Sequence, residues 1–262
     1  MRRPGRAVIR RWAAWLLASA CAGCHGGGPL LHPAHALRPG TVSFGGGLSG
    51  EMVVAGATTA PPDASPGDPA AAEGAARRKL SEIAVAPGVA PWASARVGIE
   101  GDNEAGLTYT GRALRLDGRH AFPIGEAALS VGLGAAALFA GGPGSEGSDV
   151  LGAGIDVPVL LGFRSDADLY ALWFGPRLGL DLLGGQVRLP AAGAAAPGPL
   201  VDASGQHLRV GFVLGVRGGF RHVHVAVEAT ATYHHAEGEI AGVPVAIDQA
   251  TVVPGGGLTV TF

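Results

Sequence analysis

His222, His224 and Glu228 are two and four residues apart, which puts all three on one face of an extended strand. Two imidazoles beside a carboxylate could exchange protons or hold a metal. No nucleophile accompanies them in the sequence, and solvated histidine beside a turn is the plainer account. A second ligand-rich run, His234-His235 with Glu237 and Glu239, could grip a divalent ion. Adjacent strand residues point to opposite faces, so a solvated acidic loop explains this run better. Gly45-Gly46-Gly47-Leu48-Ser49-Gly50 has the spacing G-x-G-x-x-G. The dinucleotide fingerprint needs a strand before it and a helix opening on it, and this run lies inside an alternating segment. No P-loop, H-E-x-x-H, G-x-S-x-G or EF-hand pattern occurs, so neither a cofactor nor a metal is expected.

The larger constellation is a set of charges on one face of successive alternating segments. Arg96, Arg112, Arg115, Arg177, Arg209 and Arg217 stand against Glu51, Asp117, Asp156, Asp181 and Glu228. Charges turned away from bulk water must be paired or solvated. A ladder of Arg–carboxylate pairs would satisfy them, with Gly and Ala between leaving room for the long side chains. The bland reading is a filled polar interior, and the sharp one is a narrow ion-selective pore. A closed barrel of eight to ten strands encloses little space, which favours the filled interior.

The elements that must hold these charges follow from a two-residue period. It recurs over residues 41–54, 93–99, 107–110, 114–117, 129–139, 151–163, 170–182, 208–217, 223–233 and 250–262. Most of these runs come near the roughly 9–11 residues of a tilted membrane strand. About ten strands result, or eight if the first segment or the weak hairpin over Leu107–Asp117 is misread. Short connections (Glu100 to Glu104, Gly118 to Glu126, Arg164 to Asp168, Gly219 to Arg221) alternate with longer ones (Ala55 to Val89, Gly141 to Val150, Gly184 to Gln206, Ala236 to Asp248). A tight turn near Gly111-Arg112 breaks that alternation. Within the first long connection, residues 69–83 read as a short helix; Gly74 and the upstream Pro run weigh toward a loose loop. Pro176 and Pro254 lie inside strands, where bulges are expected, and Pro158 raises the same difficulty.

Aromatic residues sort to the strand ends. Phe44, Phe122, Phe163, Tyr170 and Phe262 fall near one end; Tyr109, Phe139 and Tyr233 fall near the other. The last strand alternates Ala250, Val252, Pro254, Gly256, Leu258, Val260 and Phe262 with small or polar residues and ends on Phe. Alternation, girdles and a terminal Phe resemble the small outer-membrane β-barrel superfamily of Gram-negative bacteria. That resemblance implies an all-β fold: a closed antiparallel up-and-down transmembrane β-barrel. It also implies roles as varied as small-solute passage, adhesion, envelope structure and, rarely, lipid modification, and it carries no activity-specific motif.

The N-terminus reads as an export signal over residues 1–20, with Arg2, Arg3, Arg6, Arg10 and Arg11 before a short apolar core. Ala18-Ser19-Ala20-Cys21 resembles a lipobox, and Cys24 is a competing lipidation site. Cleavage would remove those five Arg and leave 14 basic against 21 acidic residues, a balance of −7 that argues against nucleic-acid binding. With no Cys after position 24, a structural disulfide in the barrel is excluded. Residues 21–39, with His25, His32 and His35, read as a periplasmic tether, and residues 40–262 as the barrel. The expectation is a non-enzymatic monomer in the outer membrane with a charged, largely filled lumen and a structural or small-solute role. Its partners would be outer-membrane lipid and the barrel-assembly machinery, reached through the strand that ends at Phe262. The alternatives are a lipid-modifying or hydrolytic outer-membrane enzyme and a soluble periplasmic β-sandwich lipoprotein.

Overall fold

The computed structural model describes residues 27–56, 69–139, 149–189 and 198–262. Ten antiparallel strands close into a barrel in simple sequence order. They are β1 (Val42–Ala55), β2 (Gly88–Ile99), β3 (Asn103–Tyr109), β4 (Ala113–Ile124), β5 (Ala127–Phe139), β6 (Asp149–Arg164), β7 (Tyr170–Arg188), β8 (Leu200–Phe220), β9 (Val223–Ile240) and β10 (Val243–Thr261). β1 pairs with both β2 and β10, so no edge is left. The count of ten and the up-and-down order are as the alternation predicts, and a two-sheet sandwich is ruled out.

Through the middle of the wall the apolar rows face outward. Leu107, Leu116, Leu133, Ile155, Leu180, Val210, Phe212, Val225, Val227 and Leu258 are all exposed, while the residues between them point into the lumen. The aromatics at both strand ends are exposed as well, and Phe44 meets Phe262 edge-on at 6.4 Å. Glycine on the inner face makes room for long side chains: a Cβ at Gly179 would lie 2.8 Å from an Arg209 nitrogen.

Four details depart from the sequence reading. First, strands β7 to β10 are 18 to 21 residues long, and β1 to β6 are 7 to 16. The extra length replaces much of the expected loop over Gly184 to Gln206 and nearly all of Ala236 to Asp248. The latter is a hairpin turning at Ala241-Gly242, both at positive φ (56° and 79°), the primed-turn geometry that matches strand twist. Second, β4 continues to Ile124, so Arg119 lies on the wall and not in a turn. Third, the prolines cause no bulge. Pairing lapses for two residues opposite Pro158, Pro176 and Pro254 and resumes in the same register, whereas the one register shift in those ladders lies between Val53 and Ala55. A missing N–H is absorbed by a gap in the ladder, without an extra residue.

Fourth, two pieces of chain lie inside the barrel. Residues 69–84 form a helix, α1 (Pro69–Ala84), with Pro at its first position. It stops at Ala86, whose φ of 53° is left-handed, followed by Pro87. Ala76, Leu80, Ile83 and Ala84 share one buried face and pack with Ala236, Ile240, Val245 and Ile247 on the inner wall of β9 and β10. Glu73–Arg77 and Lys79–Glu82 pair on the face toward solvent. The helix is therefore ordered by tertiary burial despite Gly74. The described part of the expected tether, from Gly27 onward, is also packed. Leu30, Leu31 and Ala34 are buried with Trp92, Ala128, Leu160, Trp173, Val213 and Ala226 in the lower lumen. An irregular segment, left-handed at Leu31 (φ 50°), is held where a free linker was expected, because the wall supplies partners for its main chain.

Candidate functional site

All eleven charges expected on the inner face are there, buried except for the half-buried Arg177 and Arg209. Seven residues form one run of alternating sign. Arg119 donates to Glu104 (2.7 Å), and Glu104 also pairs with Arg96. From Arg96 the run continues to Asp117 (2.6 Å), Arg115 (2.8 Å), Asp156 (2.6 Å) and Arg177 (2.8 Å). Each carboxylate meets two cations, which offsets the cost of taking both signs out of water. A second run crosses the opposite wall. Arg209 and His207 share Asp181 at 2.8 and 3.2 Å, and His207 Nε2 is 2.9 Å from His234 Nδ1. His234 Nε2 then meets the Thr251 hydroxyl (2.8 Å) and Glu51 (3.2 Å).

Three of the expected ladder members do other work. Arg112 donates to the carbonyls of Ile83 (3.0 Å) and Ala84 (3.4 Å), the last carbonyls of α1, where a cation also suits the helix dipole. Arg217 pairs with Asp168 (2.5 Å) at the short-turn end. Glu228 pairs with no guanidinium among the described residues. Its carboxyl group accepts from the Leu30 N–H (2.7 Å), the Leu31 N–H (2.9 Å) and Trp173 Nε1 (2.9 Å).

The histidine constellations come apart. His222 sits on the exposed β8–β9 turn against the Thr261 carbonyl (2.8 Å), and His224 is buried against the Asp168 carbonyl (2.9 Å). Neither shares a partner with Glu228. His234 points inward and His235 outward, where His235 joins Asp248 (2.8 Å) and Glu237 (3.1 Å). Cys21 and Cys24, the candidate lipidation sites, and the signal segment lie outside the described residues.

The sequence reading missed Glu104, Arg119 and His207. Glu104 and Arg119 fell in segments read as turns, and His207 fell at the margin of a segment read as a loop. The lower-lumen segment is held along its length by such residues. Ser49 donates to the Gly27 carbonyl (2.9 Å) and Arg177 to that of Gly28 (2.5 Å). Arg119 donates to the carbonyls of Pro33 and His35, and Glu104 accepts from the Leu37 N–H (2.8 Å). Between this segment and α1 lies a cavity of about 90 Å³, lined by Glu51, Arg112, Arg115, Asp181, His207 and His234 among others. That is room for roughly six to nine water molecules at about 10–15 Å³ of probe-occupied space each.

No protein-family model matches the chain, and no curated protein does. Among solved structures it is similar to neisserial surface protein A, at 12% identity over 85% of this chain and 96% of that one, with a TM-score of 0.32. It is also similar to Ail, the attachment invasion locus protein of Yersinia pestis, at 10% identity over 85% and 99%, with a TM-score of 0.29. The fold assignment stands on the closed strand pairing alone.

Proposed function

We propose that this chain is a non-enzymatic β-barrel of the bacterial outer membrane that stays closed and serves the envelope structurally. The carrying observation is that described segments of its own chain occupy the lumen at two levels, with a cavity of about 90 Å³ between them and one of about 470 Å³ beside the lower segment at the short-turn mouth. Two features support the membrane setting. The outward belt of Leu, Val, Ile and Phe would be costly in water and suits the apolar band of such barrels, about 25 Å tall. The aromatic rings at both margins of the belt suit the two membrane interfaces. The exposed Phe262 side chain is the feature the assembly machinery would recognise, and a closed sheet without an edge suits a monomer. Against catalysis, Glu228 is occupied by main-chain N–H groups and His222 stands apart at a turn.

The test is conductance of the full chain in planar bilayers. A silent membrane at both polarities is expected, while reproducible single-channel steps would replace the structural role with solute passage. Migration on a gel with and without boiling checks the barrel itself: an identical position under both conditions would count against it. The triple alanine variant at His222, His224 and Glu228 would expose an enzyme by a changed lipid profile. An intact-mass measurement of the mature N-terminus tests the expected signal cleavage and acylation.

A further inference from the structure

The lower lumen reads peptide main chain. Every hydrogen bond from the wall side chains named above to residues 27–37 goes to a backbone carbonyl or N–H. Basic or hydroxyl donors (Ser49, Arg177, Arg119) face carbonyls, and acidic acceptors (Glu228, Glu104) face N–H groups. Pro29 and Pro33, which have no N–H, fall where no acceptor is offered. Side chains enter the fit too: Pro29 to Ala34 are all buried, His32 included. Leu30 and Leu31 pack in the cluster built around Trp92 and Trp173, and Ala34 is fully buried beside Gly162. A Cβ on Gly162 would approach that of Ala34 to 2.8 Å, so position 34 admits only a small residue.

We propose that the lower lumen is a binding site for a peptide with the pattern Pro-Leu-Leu-His-Pro-small, kinked at its second Leu (φ 50° at Leu31), and that residues 27–37 are its resident, exchangeable occupant. The peptide enters from the short-turn end with its N-terminus leading, since Gly27 lines the central cavity and Arg38 lies at the exposed mouth. The covalent link keeps the resident segment at an effective concentration on the order of millimolar, so a peptide in trans competes only once that link is cut. The inference rests on the closed-lumen reading, but its test measures peptide binding and not conductance, so the two can fail separately.

The experiment inserts a protease site between Pro39 and Gly40, which are both exposed. The full chain is folded in detergent micelles, cut, and checked for an intact barrel by its unboiled gel position. A synthetic peptide of residues 27–39, labelled at its C-terminal end, is then added and followed by fluorescence anisotropy. Saturable uptake into the cut barrel and none into the uncut one is expected. N-methylation of Leu30 and Leu31, which removes the two N–H groups that reach Glu228, should weaken binding at least a hundredfold. His35→Ala in the peptide should change it less than threefold, and His32→Ala, which empties a buried position, should weaken it more than that. Failure of the labelled peptide to enter over a day would overturn exchangeability. An N-methylated peptide that binds as tightly as its parent would overturn main-chain recognition.

Discussion

The two pieces of chain inside the barrel both bury apolar side chains but satisfy their backbones in opposite ways. The lower segment, residues 27–37, has no hydrogen-bonded secondary structure of its own, and charged side chains of the wall satisfy its backbone. Helix α1 satisfies its own backbone and is held by an apolar face, with Arg112 at its last carbonyls and Ser81 hydroxyl on Gln249 (2.9 Å). The comparison teaches that what fills a lumen follows from the segment's own hydrogen bonding. A segment without internal hydrogen bonds needs polar groups on the wall, here beside the apolar cluster that seats Leu30 and Leu31. A helix needs a greasy wall, and the inner wall of β7 to β10 turns greasy where α1 rests.

If that contrast is right, damage to one plug should spare the other. The largest effect is expected from Glu228→Ala, which leaves three buried N–H donors without their acceptor. At roughly 1–3 kcal/mol for each orphaned group, the seat of the lower segment should lose about 4 kcal/mol or more. Limited proteolysis should then cut within 27–39 while α1 remains protected. Leu80→Ala is the mirror experiment. Leu80 is fully buried in the upper cluster, and its truncation should cost about 3 kcal/mol. Protease should reach residues 69–84 first, and parallel loss of the lower segment would break the comparison. Arg112→Ala should weaken the helix by about 1–2 kcal/mol through its end carbonyls, with Arg112→Lys recovering part. Hydrogen exchange of α1 amides reads that difference.

The smallest effect is a pH dependence at the mouth. Burial first, and then the nearby Arg164, hold the His35 imidazole below its ordinary value of 6.5. The folded seat therefore favours neutral His35, and the unfolded chain takes up the proton first. This contribution is complete above pH 6.5 and is lost as pH falls below it. Proteolysis within 27–39 should accelerate between pH 7.5 and pH 5, and His35→Gln should reduce the change without abolishing it.

The belt was legible because its alternation is local: each strand declares its two faces within ten residues or so. Leu208, Val210 and Phe212 show it as plainly in sequence as on the outer wall. The upper wall was not legible, because there the pattern inverts in place. Above the belt, β8 turns Asp202, Ser204 and Gln206 outward and buries Ala203, and β9 turns Glu237 and Glu239 outward and buries Ala236 and Ile240. The phase is unbroken but the chemistry swaps faces, so the same alternation reads as the end of a strand. Ten of the eleven ladder charges were found from phase, with Arg112 standing in a turn, yet their partners were only partly visible. Glu228 looked like a rung, but it serves Leu30 and Leu31 from 198 and 197 residues away. No spacing rule reaches that far, and the segment it holds has no period to betray it.

Gly27 lies deep, at the central cavity, and the run from there back to Arg38 at the mouth is eleven residues long. Drawn out by Arg38, the segment would therefore give up its main-chain contacts in order, Glu104 and Arg119 first and Ser49 last.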